Sequence, residues 1–236
     1  MIDKRTMPST IPTFRLRSFV RRNGRKTASQ KRAYAESFAQ FGLLIEHAKA
    51  NWQHLFTRSA PRLLEIGFGT GQSLLALAKA RPDLDFIGVE THQPGIGSLL
   101  LGIEQFNLDN IRIFEADVID VLAKAIPDAS LDGVQIFFPD PWPKRRHHLR
   151  RLIQAEFVHE LISKLKMGAS LHLATDWEDY AKHMMQVLAH EKRLINLAGI
   201  DQFTTRSPYR PIITKFEQRA LRAGRQIFDL QFCYQG

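Results

Sequence analysis

Ten residues, Arg62-Leu63-Leu64-Glu65-Ile66-Gly67-Phe68-Gly69-Thr70-Gly71, constrain this chain more than any other stretch. An apolar run carries an acid near its end, glycines alternate at 67, 69 and 71, and a helical pattern of Leu74, Leu75, Leu77 and Ala78 follows at once. That order predicts strand, tight turn and helix. In an open α/β sheet such a turn lies at the carboxyl end of a strand, where ligands bind, and alternate glycines let a ligand approach bare backbone.

The residues also narrow the ligand. A dinucleotide fingerprint places its third glycine three positions after the second, and here that position is Gln72. Glu65, just before the turn, suits a ligand with positive charge better than a diphosphate. S-adenosylmethionine carries both an ammonium and a sulfonium, so Glu65, Gly67, Gly69 and Gly71 are expected to hold that cofactor.

The chain downstream alternates strand and helix. After a helix from about Gln72 to Ala80, Asp85 to Glu90 reads as the second strand, Pro94 and Gly95 start a helix, and Ile111 to Phe114 is the third strand. Glu90 closes its strand, where a carboxylate can accept from both hydroxyls of a ribose. Asp117 opens a helix from Val118 to about Ala125 and is read both as its N-cap and as a partner for an adenine amino group. Leu131 to Phe138 is an apolar fourth strand running into Pro139-Asp140-Pro141-Trp142-Pro143-Lys144, a rigid loop on the same edge as the glycine turn. Trp142 either stacks on a splayed base or anchors that loop.

Further on, Arg151 to Leu165 reads as helix with Gly168 as its C-cap, and Ala169 to Thr175 as strand five, ending at Asp176-Trp177. A long amphipathic helix carries Tyr180, Met184, Val187 and Leu188. Residues 206 to 211 read as a loop, Thr214-Lys215-Phe216-Glu217 opens a helix toward Gly224, and residues 226 to 234 alternate as a final strand pairing antiparallel at the sheet edge. Thr214 with Glu217 also fits a capping box.

The 33 Lys and Arg exceed the 24 Asp and Glu, giving +9 and pointing to a polyanionic partner. Ten of these cations fall in residues 1 to 36, and five more lie in Lys144-Arg145-Arg146-His147-His148-Leu149-Arg150-Arg151. Residues 1 to 30 read as a basic flexible arm and 31 to 236 as one domain, beginning with a helical pattern from Lys31 to about Phe56 (Tyr34, Phe38, Phe41, Leu44, Ile45, Ala48, Trp52). The single cysteine, Cys233, excludes an intramolecular disulfide and a cysteine-based zinc site, and fits a reducing cytoplasm. No metal is expected at His147 and His148, which lack partners at suitable spacing. No apolar run reaches the roughly 18 residues of a membrane span.

Taken together, these blocks resemble the bacterial tRNA (guanine-N7-)-methyltransferases. The matching segments are Glu65 to Gly71, Gly88-Val89-Glu90-Thr91-His92-Gln93-Pro94-Gly95, Pro139 to Lys144 with the basic run behind it, Ala174-Thr175-Asp176, and Thr214 to Glu217. The Pro-Asp-Pro-Trp and Thr-Lys-Phe-Glu blocks are the specific ones. The resemblance implies a Rossmann-like class I methyltransferase: an α/β fold with a mostly parallel seven-stranded sheet, helices on both faces and an antiparallel C-terminal edge strand. It implies methyl transfer from S-adenosylmethionine to N7 of a guanine in tRNA, at position 46 of the variable loop.

By the same resemblance Glu65, Glu90, Asp117 and Asp140 contact the cofactor, with Asp140 also the catalytic residue. Lys144, Asp176, Thr214, Lys215, Phe216 and Glu217 bind the guanine or its surroundings. Arg146, His147, His148, Leu149, Arg150 and Arg151 bind RNA, although the family more often has a basic residue where Leu149 stands. The protein is expected to act as a monomer or homodimer. The competing readings are an amino-group methyltransferase, a non-enzymatic RNA-binding protein with an adenosine pocket, and a dehydrogenase. The first expects a second proline directly after the one at 141, where Trp142 stands, and the last is disfavoured by Gln72.

Overall fold

The computed structural model describes residues 24–45 and 52–236. Helix α1 (Ala28–Phe41) leads into a two-residue strand β1 (Gly42–Leu43), and a short α2 (Trp52–Phe56) precedes β2 (Arg62–Ile66). Alternation then runs α3 (Gln72–Ala80), β3 (Asp85–Glu90), α4 (Gln93–Phe106), β4 (Ile111–Glu115), α5 (Val118–Lys124) and β5 (Leu131–Phe137). A 3-10 helix (Arg145–Arg150) precedes α6 (Ala155–Ser163), β6 (Leu165–Thr175), α7 (Glu178–His190), β7 (Leu194–Asn196), α8 (Lys215–Arg222) and β8 (Phe228–Tyr234).

These strands form one sheet in the order β1-β4-β3-β2-β5-β6-β8-β7. Pairings from β1 through β6 are parallel; β8 runs antiparallel to both β6 and β7. Alternation along the central strands feeds two cores. Leu64, Ile66, Ile87, Val89, Val134 and Ile136 pack with α5, α6 and α7. Leu63, Phe86, Ile111 and Ile113 pack with α1, α3 and α4 on the other side. Because β3 lies on one side of β2 and β5 on the other, the chain reverses its winding there. That reversal opens a crevice at the carboxyl ends, between the turn after β2 and the loop after β5.

Several expectations need correction. The sheet has eight strands rather than seven, and the C-terminal strand is interior, the edge being β7. The helix expected from Lys31 to Phe56 begins earlier, at Ala28, because Thr27 and Gln30 form a capping box. It stops at Phe41, where Gly42 turns extended and a Cβ would collide with Phe38. Of that expected helix, residues 46–51 lie outside the described residues, as does most of the basic arm, residues 1–23. The helix after Arg151 starts only at Ala155. Gly168, expected as a helix C-cap, sits inside β6 with φ +81°, where the register against β5 shifts between Leu131 and Gly133.

Candidate active site at the carboxyl ends of the strands

The glycine turn is built as its spacing requires. Gly67, Gly69 and Gly71 have φ of +73°, +59° and +75°, a region that costs other residues energy. Gly67 N–H donates to Val89 O at 2.8 Å, holding the turn against β3, and Gly71 N–H donates to Phe68 O at 2.9 Å, closing the turn on itself. The start of α4 presses on the turn so closely that a Cβ at Gly95 would lie 2.0 Å from Gly69 O. That contact explains a glycine directly after Pro94, in the first turn of a helix.

Glu65 is buried, and its Oε2 finds no hydrogen-bond partner among the described residues. Burial pushes its carboxyl up to about 8. A buried, unpartnered carboxylate beside bare backbone is the complement of a cationic ligand, so the donor set fits S-adenosylmethionine. Glu90 is already engaged. Its Oε2 accepts from Gly69 N–H at 2.9 Å, and its Oε1 from Thr91 N–H at 2.7 Å and His92 N–H at 3.0 Å. Asp117 caps α5 by accepting from Ile119 N–H at 3.1 Å. Glu115, which no sequence motif marks out, ends β4 and accepts from Tyr34 Oη and, at 2.6 Å, from Gln93 Nε2. It ties α1 to the strand end.

On the other wall of the crevice, β5 gives way to Phe138, whose φ is +53° and whose N–H donates to Ala174 O at 2.8 Å. Asp140 follows on the surface. Trp142, also at positive φ, is half-buried; His147 meets its ring edge-on at 5.8 Å between centroids, and the Arg150 guanidinium lies 5.0 Å from its centroid. Desolvation and the cations Arg150, Arg146 and Lys144 hold the His147 imidazole below its ordinary range. Lys144, Arg145, Arg146 and Leu149 are exposed.

Arg151 differs from the rest of the expected RNA set. Its side chain is only 1% exposed, donates through Nε to Pro141 O at 3.0 Å and through Nη2 to Asp179 at 2.5 Å, and lies over the Tyr180 ring. It braces the proline loop from inside, and its guanidinium is not on the surface. Glu217 is likewise buried, receiving hydrogen bonds from Arg206 Nε at 3.1 Å and Arg210 Nη2 at 2.5 Å. Thr214 caps α8 by accepting from Glu217 N–H at 3.3 Å, while Lys215 and Phe216 stay exposed. Phe216 leans over the glycine turn, its Cε2 4.0 Å from where a Gly69 Cβ would stand. Asp176 accepts from Arg225 Nε at 2.8 Å. A groove of about 720 Å³ runs beside the turn, lined by Thr70, Gln72, Lys79, Ile213 and Lys215 among others, but none of the strand-end acids lines it.

A family model described as a putative methyltransferase matches residues 59–230. The tRNA (guanine-N(7)-)-methyltransferase of Alkalilimnicola ehrlichii is 52% identical over 219 residues, 92% of each chain. This chain belongs to the tRNA (guanine-N7-)-methyltransferase family. The enzyme of that name from Paraburkholderia xenovorans is 50% identical over 94% of this chain and 84% of its own. Among solved structures, the 16S rRNA methyltransferase KamB superposes with a TM-score of 0.58 at 14% identity, covering 78% of this chain and 93% of the other, a likeness of fold. For a tRNA (guanine-N7-)-methyltransferase the Pro139–Lys144 and Thr214–Glu217 blocks are the expected distinguishing parts, and here the first leaves the end of β5 while Phe216 of the second lies by the glycine turn after β2. Among the described residues no helix is long and apolar enough to cross a membrane, and no cluster of His, Cys, Asp or Glu has the arrangement of a metal site.

Proposed function

We propose that the chain transfers the methyl group of S-adenosylmethionine to N7 of the guanine at position 46, in the variable loop of tRNA, and that the residues of the crevice divide the work as follows. The observation that carries the reading is the winding reversal between β2 and β5. It sets Glu65 and the glycine turn on one wall and Asp140 on the other.

S-adenosylmethionine supplies a methyl carbon already activated by its sulfonium. Glu65, ionised, faces that ligand's positive charge. Glu90 keeps Gly69 and the backbone after β3 in place, and its free lone pair is left for a ribose hydroxyl. Asp117, with its remaining oxygen, accepts from the adenine. Guanine N7 has an in-plane lone pair and no proton to lose, so the chain needs no strong general base. Positioning dominates. The purine becomes cationic as the bond forms, and the exposed Asp140 carboxylate stabilises that charge. Asp176 uses one oxygen on Arg225 and has the other for the N1–H and amino group of guanine. Lys144, Thr214, Lys215 and Phe216 line the approach for the flanking nucleotides. Arg146, His147, His148 and Arg150 contact phosphates, with Leu149 exposed among them. The reading includes action as a monomer or homodimer in the cytoplasm, the single cysteine fitting a reducing compartment.

The test is incubation with methyl-labelled S-adenosylmethionine and an unmodified tRNA transcript, followed by borohydride and aniline cleavage at N7-methylguanine. Label with one cleavage in the variable loop is expected. Label without cleavage moves the acceptor atom, and absence of label on a tRNA that a known methyltransferase modifies leaves a binding protein.

A further inference from the structure

Behind the two blocks that flank the crevice mouth lies a buried charge network that the reaction itself does not use. Arg210 is 2% exposed. Its Nη1 donates to both carboxylate oxygens of Asp229 on β8, each at 3.0 Å, and its Nη2 to Glu217 on α8 at 2.5 Å. The guanidinium also lies 5.7 Å from the Phe137 ring centroid and 5.4 Å from that of Phe138, the residues that lead directly into Pro139-Asp140. Asp229 is shared with His172 on β6, whose Nε2 is 2.8 Å away, and the His172 ring meets Phe137 edge-on at 4.9 Å. Desolvation holds His172 below its ordinary range against the pull of Asp229, so it contributes no charge near neutral pH. Arg206 and Arg210 then balance Glu217 and Asp229.

One guanidinium therefore joins three separate parts of the fold: the interior strand β8, the first turn of α8, and the end of β5. A guanidinium is suited to this because its planar fork makes paired bonds while its faces rest on rings; a lysine ammonium cannot do all of these at once. The ion pairs are buried, so the geometry they impose is fixed rather than exchanged with solvent. Glu217 is held away from the crevice by these bonds, which leaves its neighbours Thr214 to Phe216 as the part of that block facing outward.

We propose that Arg210 is a positioning residue for the methyl acceptor: it sets the distance between the Phe138–Asp140 wall and the Thr214–Phe216 wall, and so the width of the guanine slot. It acts through Glu217, Asp229 and the two phenylalanines without touching either substrate. The inference rests on the reading of the crevice as a guanine-N7-methyltransferase site.

The test compares wild type with Arg210→Lys, and with Asp229→Asn as a second, shape-preserving break in the same network. Arg58→Lys serves as the control, because it weakens another ion pair, between half-exposed Arg58 and buried Asp85 at the start of β3, away from the carboxyl ends of the strands. Wild-type formation of N7-methylguanine checks the underlying reading on its own; its absence sinks that reading whatever the variants do. Given wild-type activity, Arg210→Lys and Asp229→Asn are expected to lower kcat/KM for tRNA at least 30-fold while the Kd for S-adenosylmethionine stays within twofold. Arg58→Lys is expected to keep kcat/KM within threefold. The proposal is overturned by any of three results: kcat/KM within threefold of wild type in either network variant that folds, an equal loss of cofactor affinity, or the same loss in the Arg58→Lys control. Failure of both network variants to fold also overturns it, since the network would then serve stability alone.

Discussion

Arg151 Nε donates to the carbonyl oxygen of Pro141 at 3.0 Å, so a residue at the end of the basic run holds the proline loop from beneath. Arg146 in the same run is exposed and Arg150 lies on the Trp142 ring at the loop surface, and the two kinds of arginine separate by experiment. Arg151→Ala is expected to lower stability by roughly 1–3 kcal/mol, because the carbonyl and the Tyr180 ring lose a charged partner. The Asp179 pair adds little to that figure, since its carboxylate is 63% exposed. Arg146→Ala should stay within about 0.5 kcal/mol, and Arg150→Ala, which vacates the Trp142 ring, within about 1 kcal/mol. Replacing both should flatten the salt dependence of tRNA binding by about 1.4 log units per log unit of salt, at about 0.7 per single-strand contact. Thermal melts and binding titrations at several salt concentrations check both halves.

Glu65 makes cofactor affinity depend on pH. Burial raises its carboxyl to about 8, so at pH 6 the free protein holds it protonated and neutral. A cationic ligand needs the ionised form, and binding must release that proton. Affinity is therefore expected to climb by up to about tenfold per pH unit below 8 and to level off above it. The stability of the ligand-free protein moves the other way. The folded state binds more protons than the unfolded one between the ordinary value of 4.5 and about 8, so stability falls as pH rises through that window. Glu65→Gln should flatten both curves. Calorimetry in buffers of different ionisation enthalpy measures the released proton directly.

Asp140→Asn tests the assigned transition-state role. If the carboxylate acts on the developing purine charge, kcat should fall by roughly 30-fold, about 2 kcal/mol, while the Kd for S-adenosylmethionine stays near wild type. Parallel losses in both would make Asp140 a cofactor ligand.

Two glycine substitutions should fail for different reasons. Gly67→Ala meets no atom within 4 Å and suffers only its φ of +73°, costing about 1–2 kcal/mol of stability. Gly95→Ala places its methyl 2.0 Å from Gly69 O, so the turn itself must move. Cofactor affinity should drop more than tenfold in Gly95→Ala, and a Kd that stays within twofold would show that the turn absorbs the methyl without consequence.

Local patterns carried much of this structure. The Gln72–Ala80 helix and the Asp85–Glu90 strand have the bounds their periodicity implies, because each is long enough to repeat and is bracketed by glycine or proline. The strands Gly42–Leu43 and Leu194–Asn196 were not legible: they are too short to show a period and exist only because a sheet edge pairs with them. Burial of cations was equally hidden. Arg150 and Arg151 are adjacent and chemically identical, yet one lies against Trp142 at the loop surface and the other is sealed inside, a difference set by Asp179 and Pro141 across the fold. Thr214 and Glu217 fit the capping spacing, and the Thr214 half forms. The Glu217 side chain turns instead to Arg206 and Arg210, partners that lie in what reads as a featureless proline-flanked loop.

The placement of β8 bears on how the chain matures. Residues 228–234 slot between β6 and β7, which precede them in sequence, and Asp229 completes the charge network behind the crevice. A ribosome-bound chain that has exposed everything through α8 has both glycine turn and proline loop, but an open seam between β6 and β7 and an Arg210 that holds Glu217 without Asp229. Closing that seam requires contacts distant in sequence, which form late and slowly. The slot framed by Arg210 and Asp229 is therefore completed only when β8 docks between strands that precede it in sequence.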